Sequence, residues 1–162
     1  MIQKRTLLMK RYRVASLAII VCLAFTSSVS AASTDILGIW FNQDKDAKIE
    51  IFQCGNDFCG KIVWLKEPTY PAGSKEGTPG TPKLDIKNPD AAHRKDPLMG
   101  LQLVLGLQYA GDNQWKNGKI YDPDSGKTYS SKATLISHDQ LDLRGFVGVS
   151  MFGRTEKWSR AN

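Results

Sequence analysis

The chain has 162 residues, with 22 Lys plus Arg against 16 Asp plus Glu and a formal net charge of +6. Five of the cations, Lys4, Arg5, Lys10, Arg11 and Arg13, lie in residues 1 to 31, where no acidic residue occurs, so the remainder carries 17 against 16, or +1. A nearly neutral remainder with no Lys/Arg cluster excludes a phosphate-backbone-binding surface of the usual kind.

Residues 1 to 31 read as a signal peptide. The five cations form its charged start, Val14 to Phe25 its short apolar stretch, and Val29-Ser30-Ala31 a small-residue cleavage site before Ala32. About a dozen apolar residues fall short of the roughly 20 that span a bilayer, so no membrane span is expected in the mature form. Val21 before Cys22 does not suit a lipid anchor, which wants a small residue there. Residues 32 to 162 are left as a single domain with one core.

Gly38-Ile39-Trp40-Phe41 opens the first strand. Over residues 47 to 53, Ile49 and Ile51 alternate with Lys48 and Glu50, the period of a half-buried strand. Cys54-Gly55-Asn56-Asp57-Phe58-Cys59 follows and then Gly60 to Trp64, so 47 to 65 reads as a hairpin whose Gly-Asn-Asp tip is turn chemistry. An even cysteine pair in an exported chain reads as a disulfide, Cys54 to Cys59. A redox pair would use a two-residue spacing before a helix.

Residues 66 to 97 hold six of the seven prolines, with Gly73, Gly77 and Gly80 among them, and form a long surface loop rather than a strand. Within it Asn88 to Arg94 suits one short helical turn, Asn88 as cap and Pro89 at the first helical position. A strand is expected from about 101 to 107, although Leu98, Leu101 and Leu105 also fit a helical stripe. Residues 118 to 121, 128 to 136, 140 to 147 and 150 to 159 complete the strands, with turns at Asp112-Asn113, at 122 to 126 and at His138-Asp139. Short strands at this spacing predict an all-β, antiparallel architecture of about eight strands. Closure into a barrel removes exposed edges and leaves an interior just wide enough for side chains or one small ligand.

The ordered set Gly38-Ile39-Trp40, Ile49-Glu50-Ile51, Cys54 to Gly60, Asp85 with Asn88-Pro89-Asp90, Pro97 to Leu101, Trp115 with Gly118 to Pro123, Gly126 with Tyr129, Leu143 to Phe146, and Arg154 with Trp158 resembles a family of small exported bacterial proteins, domain of unknown function 2147. The resemblance implies a lipocalin-like barrel, periplasmic or secreted, in a Gram-negative bacterium, and it transfers no catalytic residues. Gly38-x-Trp40 also looks like the opening of a lipocalin first strand, where a basic residue near the barrel's end covers the Trp. Arg154 or Arg160 is the expected partner, with Trp40 and Arg154 named as the closure pair.

The chemistry of enzymes is sparse. No Gly-x-Ser-x-Gly elbow occurs, and His93 and His138 fall in segments read as loops, outside any nucleophile motif. Gly126-Lys127-Thr128 lacks the earlier glycine of a phosphate loop, because position 121 is Tyr121. Asp122-x-Asp124-x-Gly126 lacks the distal Glu of a calcium loop, because position 133 is Ala133. No cofactor or metal is therefore expected. The expected partner is a small apolar or amphiphilic ligand, held by Trp40, Trp64, Tyr121 and Tyr129, with Arg144 either facing solvent or orienting a carboxylate head. The rival reading is an envelope interaction module whose barrel is filled by side chains and whose contact surface is the Pro-rich loop. A carboxylate-based hydrolase or isomerase is the third.

Overall fold

A computed structural model describes residues 34 to 161; the signal-peptide reading of residues 1 to 31 lies outside them. Eight strands follow in order: β1 (Gly38–Phe41), β2 (Ala47–Cys54), β3 (Asp57–Leu65), β4 (Gln102–Tyr109), β5 (Gln114–Asp122), β6 (Lys127–Ser137), β7 (Gln140–Phe146) and β8 (Gly153–Arg160). Each pairs antiparallel with the next, and β1 pairs with β8 through Trp40 opposite Arg160 and Phe41 opposite Ser159, so the sheet closes into a barrel. The all-β barrel expected from the strand spacing is the observed architecture. The 101 to 107 stretch is a strand, not a helix. β5 begins at Gln114 rather than at 118, and β8 at Gly153 rather than at 150, since residues 147 to 152 form a loop.

Alternation decides which side chains go inside. Ile49 and Ile51 face the interior with Trp40, opposite Ile62 and Gly60, while Lys48 and Glu50 face out. Leu141 and Leu143 do the same on β7, opposite Trp158 and Glu156 of β8. One-residue bulges reset this alternation at several points around the barrel, three of them bearing on the side chains discussed below. Val63 is the extra residue between Ile62 and Trp64, Gly106 lies in the mismatch between β3 and β4, and Asn117 is extra between Trp115 and Gly118. Gly106 and Asn117 have φ of 64° and 59°, the left-handed conformation that such bulges use.

The two ends of the barrel differ. One end is filled. Trp40, Trp115, Ile51, Leu107 and Leu141 are buried there, and Phe58 and Tyr109 pack on Trp115 with ring centroids 6.3 and 5.3 Å away. Ile36, wholly buried, caps this end, and its carbonyl accepts the Trp40 indole N–H at 2.9 Å. The Cys54–Cys59 disulfide ties the β2–β3 turn at the same end, with Cα atoms 5.8 Å apart. A loop this short contributes about 2 kcal/mol in the chain-entropy account.

The other end carries the β1–β2 loop, the β5–β6 turn, the β7–β8 loop and the long strap of residues 66 to 101. The strap is ordered by its own contacts. Thr69 bridges Pro82 and Leu84 bridges Pro97. Tyr70 is buried, and its hydroxyl accepts the Leu84 N–H at 3.1 Å. The strap's one helical turn is a 3-10 turn at Ala91–His93. Its cap is Asp90, not Asn88, because the Asn88 side chain is engaged elsewhere, accepting from the Asp90 N–H and donating to Asp85.

Candidate functional site

The unfilled half of the barrel is a cavity of about 890 Å³ that opens between the strap and the loops. Its walls are Ile49, Ile62, Leu103, Ile120 and Leu143, with Trp158 toward the filled end. The inward-facing positions of β2 and β7 are the same aliphatic stripes whose alternation identifies them as strands. The rim is charged, with Asp44, Asp46 and Asp124 from the loops facing Lys66, Lys83 and Arg154. Apolar depth under a polar, charged lip is the general form of a site for one amphiphilic molecule.

Tyr129 lines the cavity. Tyr121 borders it and also fastens the strap. Its phenol donates to Asp85 Oδ1 at 2.7 Å, while Asp85 Oδ2 accepts from Asn88 at 2.7 Å. Asp85 is fully buried, so the strap drives a carboxyl group against the barrel and satisfies both of its oxygens. Burial raises the Tyr121 phenol well above the ordinary tyrosine range, and the hydrogen bond and charge of Asp85 add to the rise.

Three of the expected ligand contacts lie elsewhere. Trp40 is sealed in the filled end and does not reach the cavity. Trp64 is on the outer face, 38% exposed, where it meets Phe41 edge-on at 6.1 Å beneath the Lys48 ammonium. The bulge at Val63 puts it there, by adding one residue after the inward-facing Ile62. Arg144 also faces out, and its guanidinium is spoken for. It donates to the Ser150 carbonyl at 2.7 Å, the Met151 carbonyl at 3.2 Å and Thr155 Oγ1 at 2.8 Å, pinning the β7–β8 loop.

The closure pair is corrected as well. Arg160, not Arg154, covers Trp40, with its guanidinium carbon 4.1 Å from the ring centroid. Arg154 is exposed near the open end of β8, six residues away along the strand. Arg160 also donates to three carbonyls, of His138 at 2.7 Å, Leu37 at 2.9 Å and Asp35 at 2.8 Å.

The sequence reading missed Glu156. β8 alternation turns it inward beside Trp158, whose indole N–H donates to Glu156 Oε2 at 3.2 Å. The signal was present in the pairing of Glu156 with Leu143, a charged residue on an aliphatic stripe, but it needs the β7–β8 register to be seen.

The two histidines stand in solvent. Each is paired with a carboxylate at 2.7 Å, His93 with Asp96 and His138 with Asp139, and the hydrogen bond to Asp96 raises His93 above the ordinary imidazole range. The Asp122 to Gly126 segment is a turn held by its own bonds, Asp122 accepting from the Asp124 N–H and from Ser125. Among the described residues no cluster of three or more His, Cys, Asp or Glu is placed to hold a metal, and no helix is long and apolar enough to cross a membrane.

Comparison with known proteins places this geometry. The chain is similar to a solved structure described as protein HP1028 from the human pathogen Helicobacter pylori, which belongs to the lipocalin family; the TM-score is 0.64 at 24% identity, over 78% of this chain and 82% of that one. At that identity the likeness establishes the fold. No curated protein matches the chain. Residues 38 to 160, from the first glycine of β1 to the last arginine of β8, match the family described as uncharacterized protein conserved in bacteria (DUF2147), and the chain belongs to it.

Proposed function

We propose that this protein is an exported binding barrel that takes one small amphiphilic molecule into the open half of its interior. The cavity carries the reading. Its volume of about 890 Å³ falls within the range of small-molecule sites, and its apolar walls would shelter a tail while the charged rim meets a head group. The lipocalin-like fold supports the same function. The leader-like residues 1 to 31 and the Cys54–Cys59 disulfide support delivery to an oxidising compartment such as the periplasm. The side chains that fill the barrel do so at one end only, which favours a ligand site over a wholly filled interaction module.

Displacement of a fluorescent amphiphile, read together with native mass spectrometry of the purified protein, tests the proposal. The expected result is a one-to-one complex that an unlabelled amphiphile competes away. Failure of every amphiphile to bind, apolar alcohols included, would overturn it.

A further inference from the structure

We infer that the molecule bound in this cavity carries a cationic head on an apolar tail, with Glu156 as its counter-ion; the inference rests on the ligand-binding reading above. Glu156 lies directly across from Leu143, and Trp158 two residues further along lies across from Leu141, so the carboxylate projects into the barrel among aliphatic walls. Glu156 is half-buried at the cavity wall, and a ligand tail that displaces water from such neighbours leaves the carboxylate costly to keep charged unless a partner compensates.

The protein supplies only part of that compensation. A carboxylate offers about four acceptor positions, and among the described residues one hydrogen bond reaches the Glu156 carboxylate, from Trp158. Among the described residues no Lys or Arg forms an ion pair with it. Three cations line the cavity, Lys66, Lys83 and Arg154. Lys83 is already paired with Glu67 at 3.6 Å, and Arg154, two residues away on the same face of β8, makes no ion pair with Glu156. The remaining acceptor positions of Glu156 are therefore available to a donor that arrives from the cavity.

The charge of the whole lining points the same way. Six acidic side chains, Glu156 among them, face those three cations. A low-dielectric pocket focuses such an imbalance toward a positive ligand and against a negative one. The residue best suited by type to hold an anionic head, Arg144, is directed outward and bonded to the β7–β8 loop. A protonated amine or quaternary ammonium on a hydrocarbon tail fits both the depth and the charge.

The test uses three probes with one ten-carbon tail, decylammonium, decanol and decanoate, titrated into the purified protein by calorimetry below their aggregation limits. Decylammonium is expected to bind about tenfold more tightly than decanol, and decanoate more weakly than either. Glu156→Gln, close to isosteric, is expected to bring decylammonium to within about twofold of decanol's affinity for the same variant. Decanoate binding as tightly as decylammonium, or a cationic preference that survives Glu156→Gln, would overturn the inference and leave the binding barrel standing. Absence of binding by all three, decanol included, would overturn both.

Discussion

Arg160 joins parts of the chain that are distant in sequence. Its planar guanidinium covers the Trp40 ring on one face while its N–H groups reach the carbonyls of Asp35 and Leu37 before β1 and of His138 between β6 and β7. The side chain thereby satisfies backbone acceptors at the barrel's filled end that no strand ladder serves. Gly38 makes room for it. A Cβ there would lie 3.0 Å from Arg160 Nη1, and the backbone φ of 119° is one that side chains other than glycine rarely adopt. Removing the guanidinium leaves three carbonyls to find other donors and uncovers an indole. Arg160→Ala is expected to lower unfolding stability by about 2–4 kcal/mol. Arg160→Lys should recover only a minor part, because an ammonium cannot serve a flat ring and three divergent carbonyls together. Denaturant unfolding measures both; a cost below about 0.5 kcal/mol for Arg160→Ala would show that the contacts are incidental.

The strap from residue 66 to 101 is held to the barrel by a few polar bonds. Its anchor is the Tyr121–Asp85–Asn88 chain, supported where Lys87 donates to the Asp124 carbonyl at 2.8 Å. Tyr121→Phe keeps the ring in the cavity wall but strips Asp85 Oδ1 of its donor, and an unsatisfied buried acceptor costs about 1–3 kcal/mol. Hydrogen exchange should then show the amides of residues 84 to 98 opening faster while those of β2, β6 and β7 keep their protection; unchanged exchange in the strap would sink this account of its anchoring. The strap's course also marks where sequence reasoning stops. The prolines announce a loop, and the alternation of Ile49 with Ile51 and of Leu141 with Leu143 announces walls. None of them shows that Asp85 will be buried, because its partner Tyr121 is 36 residues away and on another element. Bulges hide in the same way. Nothing local to Val63 declares it the extra residue, yet it alone turns Trp64 from the interior to the outer face. Arg144 keeps the strand's alternation and faces out, and its task became visible only with the loop that it holds.

The barrel as a whole combines two interiors within one sheet. Near Trp40, Trp115 and Leu107 the side chains are fully buried in one apolar cluster. There Gly118 leaves space where an added Cβ would stand 2.7 Å from the Leu107 side chain and 3.0 Å from Ser131 Oγ. Beyond Ile49 and Ile62 the side chains of the same cylinder leave a cavity. In the binding reading proposed above, stability and binding fall to opposite ends, and the energy of adding volume should depend on the end that receives it. Ile51→Phe, in the filled end, must displace packed neighbours and is expected to cost about 1–3 kcal/mol. Ile62→Phe, made on the neighbouring strand at a residue as deeply buried, projects its added carbons into the cavity and should change stability by less than about 1 kcal/mol in either direction. It should at the same time weaken binding of a ten-carbon amphiphile by about tenfold or more, by occupying the space that the tail requires. Equilibrium unfolding and calorimetry on the two variants separate the effects. Equal destabilisation by both would mean that the barrel collapses around its open half in solution, and the division of labour between the two ends would then be wrong.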